Sequence, residues 1–232
     1  MAQAYQLIQA VTLTGNASSI DFTNIPQTYT DLKLVCSLRN NNGTSVGNLA
    51  YVQFNGDSNN ANYSMRRIEG NGATAISTSS SDPNGAAATG PGATTSTFSS
   101  CEIYIPNYTS GNNKSSSAEA IIENNATTAY IEVFARLWSN SAAITRVSIV
   151  PDAAYSYVSG STAYLYGIGG VRASGGTITS DSKYTYHTFT SSGTFTALEK
   201  IKGAEVLLVA GGGGGGGPST NGAYAGGGAG GV

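Results

Sequence analysis

The chain has 232 residues, enough for one large β-domain and a smaller appendage. Charged residues make up only 10% of it, the formal net charge is −2, and the longest basic run is the doublet Arg66-Arg67. Two classes of partner are therefore not expected. There is no basic patch to attract nucleic acid, and no stretch approaches the roughly 18 consecutive apolar residues that insertion into a membrane needs.

Period-two alternation of apolar and polar residues predicts a series of short β-strands before residue 170. Clusters of Asn, Gly and Ser separate them, as is typical of turns between antiparallel strands. For residues 1–171 we therefore predict an all-β fold, an antiparallel β-sandwich of jelly-roll-like kind. The predicted strands span 19–22, 31–39, 48–55, 63–69, 100–106, 118–123, 129–138, 143–150 and 161–168.

The alternation also predicts which side chains face the core. In 31–39 the inward set is Leu32, Leu34, Cys36 and Leu38. In 129–138 we predict that the inward set is Ile131, Val133, Ala135 and Leu137.

One long polar stretch, residues 71–96, consists mainly of Ser, Thr, Ala, Gly and Pro. We predict no strand in it, because a loop of this length is usually either functional or disordered. Two interpretations stay open: an extended arm that lies on a neighbouring subunit, and plain disorder.

Two cysteines, Cys36 and Cys101, both fall in strand-like apolar runs. We expect buried free thiols, with a single bridge as the alternative, because two cysteines do not make a disulfide framework. The first thirteen residues have neither the basic nor the apolar region of a secretory signal, so we expect synthesis in a cytoplasm without export.

Composition changes after residue 171. Residues 172–182 are rich in small side chains and are predicted to be a linker, and 183–232 a β-hairpin followed by a glycine-rich region. Within that last segment we predict strands at 183–190 and 204–210. Thirteen of the final twenty-two residues are glycine, and none of the twenty-two is charged.

The glycine tract from Gly211 has three physical interpretations. A phosphate-binding loop is rejected, because no Lys follows the glycines and no helix can form from this composition. Packed polyglycine in an extended three-fold helix and a disordered linker both stay open. Ordering glycine costs more backbone entropy than ordering any other residue, so the first alternative needs a large packing unit. We therefore expect the glycine-rich region to continue beyond 232.

Several segments resemble known proteins. Residues 19–32 resemble the opening of a β-sandwich domain found in tail fibres and other virion proteins of tailed bacteriophages, and 164–168 resemble its closing strand. Between them, 54–57, 62–64 and 103–108 also fit that pattern. Residues 189–196 and 206–210, with the glycines that follow, are similar to glycine-rich adhesin domains of phage tail fibres.

The resemblance implies a virion protein, assembled in the host cytoplasm, that forms homotrimers and contacts other virion proteins. It further implies attachment to a host surface glycan or outer-membrane protein, as a tail-fibre or appendage subunit. Receptor-contact candidates are Asn221 and Tyr224, an aromatic side chain isolated among glycines. Two alternatives are a capsid decoration or head-fibre protein without a receptor role, and a glycan-cleaving tailspike.

We expect no enzyme, no metal site and no cofactor. The only histidine, His187, lies in no visible cluster of metal ligands, and the sequence contains no nucleophile elbow that could serve it. Residues 55–59 superficially resemble an oxygen-ligand calcium loop but the rest of the ligand set is absent, so we predict a turn. The acidic residues, Glu102 and Glu132 among them, are scattered, and the sequence leaves open whether any two are paired as in glycosidases.

Overall fold

The protein is built from β-strands in a computed structural model that describes residues 5–125, 128–152, 155–170, 173–181, 184–197, 201 and 203–211. Among these residues the one helical element is a 3₁₀ turn at Asn60–Asn62. The strands are β1 (Tyr5–Thr12), β2 (Ile20–Phe22), β3 (Asp31–Ser37), β4 (Gly47–Phe54), β5 (Tyr63–Gly70), β6 (Ala75–Ser80), β7 (Asn84–Thr89), β8 (Ser100–Ile105), β9 (Lys114–Ile122), β10 (Tyr130–Trp138), β11 (Val147–Pro151), β12 (Thr162–Ile168), β13 (Ala173–Ser174), β14 (Thr177–Ser180), β15 (Thr185–Thr188) and β16 (Thr196–Ala197).

Contacts divide the chain into two units, residues 1–171 with 180–184, and residues 172–179 with 185–232. The first unit contains two antiparallel sheets. The larger has eight strands in the order β1-β12-β3-β8-β9-β10-β5-β6, and the smaller has four in the order β2-β11-β4-β7. The predicted all-β antiparallel fold is confirmed.

The strand order is that of a jelly roll with two insertions. When β5, β6, β9 and β10 are set aside, the other eight strands form the sheets β1-β12-β3-β8 and β2-β11-β4-β7. This is the double Greek key of a jelly roll. The hairpin β5–β6 is inserted between β4 and β7, and β9–β10 between β8 and β11. Because β10 pairs with β5, both insertions extend the same sheet and double its width.

One hydrophobic core contains side chains from both sheets. The inward set predicted for β3 and the residue after it is confirmed, since all four side chains are buried. Ala50, Val52 and Phe54 of β4 are buried as well. Asn55 and Gly56, both with positive φ, then turn the chain, which confirms the predicted turn.

The prediction for β10 has the wrong phase. Ile131 and Val133 are about half exposed, at 55% and 52%, whereas the alternate side chains are buried. Burial of Arg136 is possible because its guanidinium is hydrogen-bonded: Nε donates to Asn84 O at 2.8 Å, and Nη2 to Val52 O at 2.7 Å. The buried set is Glu132, Phe134, Arg136 and Trp138.

The prediction that 71–96 has no strand is also wrong, because β6 and β7 lie there. Strand β7 is buried along its whole length although it consists of small and polar residues. Its small side chains leave room for the guanidinium of Arg136: a Cβ on Gly85 would lie 2.3 Å from Arg136 Nε. Tertiary packing therefore places a strand where Ala and Gly have low β-propensity.

Cys36 and Cys101 lie directly opposite each other on β3 and β8, and both are free and buried. The expectation of buried free thiols is confirmed. Burial raises the pKa of Cys36 well above its ordinary value and that of Cys101 to about 11. Both side chains are therefore protonated at neutral pH.

The second unit contains little regular structure. Strand β13 pairs with β16, and residues 203–211 carry no strand, so the strand predicted at 204–210 is wrong. The segment 172–182, predicted as a linker, contains β13 and β14. Gly175, at φ +108°, lies so close to Thr194 O that a Cβ would be 2.0 Å from it, which accounts for a glycine there. The glycine tract after Gly211, for which packed polyglycine and a disordered linker are both open, lies outside the described residues.

Candidate functional site

A groove of about 480 Å³ crosses the outer face of the large sheet. We call it the outer groove. Its residues come from β1 and from the neighbouring strands β3, β8, β9 and β10, with β12 between β1 and β3. Its lining residues are Tyr5, Lys33, Glu102, Tyr104, Ser117, Ala118, Glu119 and Val133.

Strand alternation brings these polar side chains to the outer face. On β8, Cys101, Ile103 and Ile105 are buried, so Glu102 and Tyr104 point outwards. Register then sets their neighbours: Tyr104 lies opposite Lys33 of β3, and Glu102 lies opposite Glu119 of β9. The groove is therefore assembled from segments far apart in the chain.

Two tyrosines provide the aromatic surface of the groove. Tyr5 is 57% exposed and Tyr104 is 39% exposed. Tyr104 is held by its hydroxyl, which donates to Asp31 Oδ2 at 2.6 Å, and this bond raises the pKa of Tyr104 to about 12. Asp31 is in turn fixed by the backbone N–H of Asn107 at 2.8 Å. The ring of Tyr104 is thus oriented before any ligand binds.

The described residues that line the outer groove include one basic side chain, Lys33, and two acidic ones, Glu102 and Glu119. Lys33 Nζ lies 2.5 Å from Glu102 Oε2 and 5.5 Å from the centre of the Tyr5 ring. The hydrogen bond to Glu102 raises the pKa of Lys33. Glu119 adds a second carboxylate directly across from Glu102. Like charges directly opposite on a sheet are destabilising, and Lys33, which interacts with both carboxylates, offsets part of this repulsion.

An apolar surface continues the groove along β10 and β5. Val133 lies directly opposite Ile68, which is 63% exposed, and Ile131 follows on the same face. Exposed aliphatic side chains on adjacent strands mark contact surfaces. The outer face therefore offers polar aromatic groups at one end and aliphatic groups at the other.

A second cluster of charged residues lies between the sheets. Arg67 Nη1 contacts Glu132 Oε1 at 2.8 Å and Nη2 contacts Glu69 Oε2 at 2.9 Å, so one guanidinium bridges two carboxyl groups. The cluster lines a cavity of about 180 Å³. Burial raises the pKa of Glu132 to about 7, and Glu69 beside it adds to the effect. Glu132 therefore takes up a proton near neutral pH.

This inner cluster is the carboxylate pairing that the sequence left open, but its geometry does not suit hydrolysis. Ligand pockets usually measure roughly 300–1,000 Å³, so the cavity is small for a sugar ring. Arg67 also occupies one oxygen of each carboxyl group. We assign the cluster a structural role with a pH dependence.

The residues named in the sequence analysis do not come together in one site within the described part of the chain. Asn221 and Tyr224 lie outside the described residues. His187 Nδ1 is 2.9 Å from Gly175 O, and its ring meets Phe195 edge to face. Asp57 serves the fold, since its carboxylate accepts from Trp138 Nε1 at 2.8 Å and from Asn62 Nδ2 at 2.9 Å.

Sequence reasoning missed the outer groove, although it named Glu102 and predicted the strand that carries it. Tyr5 lies in a strand that the alternation did not predict, and the pairing of Glu102 with Glu119 depends on the register of β8 against β9. Within the described residues there is no group of three or more His, Cys, Asp or Glu that could hold a metal ion. In that same part of the chain, no helix has the length and apolarity to span a membrane.

Comparisons with protein-family models, with curated proteins and with solved structures find no match for this chain.

Proposed function

We propose that this chain is a structural subunit of a bacteriophage virion, a tail-fibre or appendage component that contributes to attachment to the host surface. The observation that carries the proposal is the outer groove, an open, pre-oriented surface of tyrosines and carboxylates. The segments that resemble tail-fibre proteins supply the virion context. The jelly-roll strand order supports it, because viral capsid and lectin domains use this architecture.

The outer groove suits a glycan of the host surface. Aromatic rings offer an apolar face on which the C–H face of a sugar ring can lie, together with a polar tip. Glu102 and Glu119 are acceptors for sugar hydroxyl groups, and Lys33 is a donor. The volume of about 480 Å³ falls within the range of small-ligand sites.

The second unit is the part of the chain that we expect to drive assembly with other subunits. Its apolar run Val206, Leu207, Leu208 and Val209 is between 69% and 87% exposed among the described residues, so we expect association with further copies, as a homotrimer, and with other virion proteins. Analytical ultracentrifugation at micromolar concentration tests this expectation. A monomer under those conditions would contradict it. The alternative function is that of a capsid decoration protein, in which the outer groove binds no host receptor.

Binding is tested with purified full-length chain and host surface polysaccharide. We expect Tyr104→Ala to weaken binding at least tenfold, because it removes the ring that Asp31 holds in place. Tyr164→Ala is the matched control, since Tyr164 is a tyrosine of β12 outside the groove, and we expect it to bind like the unchanged chain. Equal loss in both variants, or in neither, would overturn the assignment of the groove.

A second candidate function, glycan cleavage, is favoured by one observation. Glu102 and Glu119 are direct cross-strand neighbours in an open groove, and side chains so placed have Cβ atoms about 4.5–5.5 Å apart. Retaining glycosidases hold two carboxyl groups about 5–5.5 Å apart. The ion pair with Lys33 opposes this function, because it occupies one carboxylate oxygen of Glu102. If the unchanged chain releases oligosaccharides from the polysaccharide and Glu119→Gln does not, the function is glycan cleavage and not attachment alone.

A further inference from the structure

Three of the four sheet edges in the first unit are protected against pairing with another chain. Strand β1 contains a bulge between Leu7 and Gln9. Strand β2 has only three residues. Strand β7 is buried throughout and pairs irregularly with β4. Bulges, short length and coverage are the usual devices against edge-to-edge association.

The fourth edge, β6, has none of these devices. Its six residues, Ala75–Ser80, pair with β5 in an unbroken register, and four of the six are exposed. It contains no charged residue and no proline. Among the described residues no strand pairs with its other side. An uncharged, regular and exposed edge is a template for one more strand.

We propose that β6 of two copies of this chain pair antiparallel, so that the two large sheets join across a twofold axis. The occupant is a second copy because the strand is compatible with itself. Without charge, it meets no repulsion from an identical strand, and identical edges that pair antiparallel form a closed, isologous contact.

The geometry of such a contact also covers an exposed apolar side chain. A twofold axis normal to the sheet keeps each face on its own side, so inward side chains oppose inward ones. Ile76, which lies opposite the inward Glu69 and is 47% exposed, then faces Thr78 or Ser80 of the second copy. Cross-strand pairs of β-branched residues stabilise sheets. The outer faces of the two copies then lie on the same side of one continuous sheet. If the proposed function holds, the pair presents two outer grooves to one host surface.

The first test is disulfide crosslinking of the full-length chain. Ser77 is exposed and points to the outer face of β6, where it lies next to Ser77 or Ser79 of the second copy in the proposed contact. We expect Ser77→Cys to give a covalent dimer under mild oxidation. The matched control is Ser115→Cys, which is also exposed on the same face but lies on the interior strand β9. The native Cys36 and Cys101 are buried and do not interfere. Crosslinking of Ser77→Cys no greater than that of Ser115→Cys would overturn the proposal.

The second test is the double variant Ser77→Lys/Ser79→Lys, which places positive charges across the twofold axis. On the proposed function the β6 contact joins two homotrimers, so we expect the double variant to halve the sedimenting mass with an unchanged circular dichroism spectrum, whereas Ser115→Lys leaves the mass as it is. An unchanged mass in the double variant would overturn the pairing, including the case of a trimer held together elsewhere. Because neither test uses a glycan, failure here is distinct from failure of the proposed function.

Discussion

The two units of this chain differ in whether their apolar side chains are buried in a core. In the jelly-roll unit even Arg136 and Lys114 are buried, and the core joins both sheets. In the second unit four consecutive aliphatic side chains, from Val206 to Val209, are exposed among the described residues. The first unit has enough strands to enclose a shared core, whereas the described part of the second unit leaves this apolar run uncovered.

The difference indicates a division of labour. A unit whose strands share one core is expected to fold by itself. A unit that leaves an apolar run exposed reaches a low free energy only when another surface covers that run. We therefore expect substitutions in the jelly roll to change stability, and substitutions in the apolar run of the second unit to change association.

The largest expected effect is on the free energy of unfolding, from Arg136→Ala. Arg136 donates to the carbonyl groups of Val52, Pro83 and Asn84, and these three hydrogen bonds in the interior are lost when the guanidinium is removed. We expect urea unfolding to show a loss of about 3–5 kcal/mol. Arg66→Ala is the control, because Arg66 is exposed on the neighbouring strand, and its change should stay below about 0.5 kcal/mol. An Arg136→Ala protein within about 1 kcal/mol of the unchanged chain would contradict the account.

A smaller effect is expected at Glu132, through pH. Its folded-state pKa of about 7 lies above its ordinary value of 4.5, so the folded state binds more protons than the unfolded state between those values. The contribution of this group to stability is therefore full below pH 4.5 and is lost as the pH rises through 7. Glu132→Gln, which still accepts from Arg67, should remove this dependence and raise stability at pH 8 by on the order of 2 kcal/mol.

The control for that experiment is Glu119→Gln, which removes a carboxyl group from the exposed face of β9, next to β10. Its pH dependence should follow that of the unchanged chain. If Glu132→Gln leaves the slope of stability against pH as it was, Glu132 does not titrate as proposed.

The smallest effect on stability is expected in the second unit. Leu207→Ser/Leu208→Ser should change the free energy of unfolding of the jelly roll by less than about 0.5 kcal/mol, because both side chains are already exposed. Self-association and the binding of a hydrophobic dye should both decrease. Light scattering and dye fluorescence measure them. If association is unchanged and the jelly roll is destabilised, the apolar run contributes to folding and not to association, which would contradict the roles assigned to the two units.

Much of the fold could be predicted from local pattern. In β3 the phase of Leu32, Leu34 and Cys36 is wholly apolar while the other phase contains Lys33 and Ser37, so the alternation identified both the strand and its buried face. The turn at Asn55-Gly56 was equally clear, because both residue types tolerate positive φ.

The failures have a common physical cause. On β10 both phases contain large apolar residues, and what selects the inward phase is a set of carbonyl groups near Val52 and Asn84, far away in the chain. Strand β7 is recognisable only once Arg136 lies against Gly85. The outer groove depends on register, because Glu102 and Glu119 become neighbours only when β8 pairs with β9. Local pattern contains none of this information.

The central claim, that the chain is an attachment subunit of a phage particle, is tested most directly by its position on the particle. Immunogold labelling of intact particles with an antibody raised against the jelly-roll unit measures that position. We predict gold at the tail fibres or appendages, displaced from the capsid. Label confined to the capsid surface would contradict the tail assignment, and particles without label would contradict a virion protein altogether.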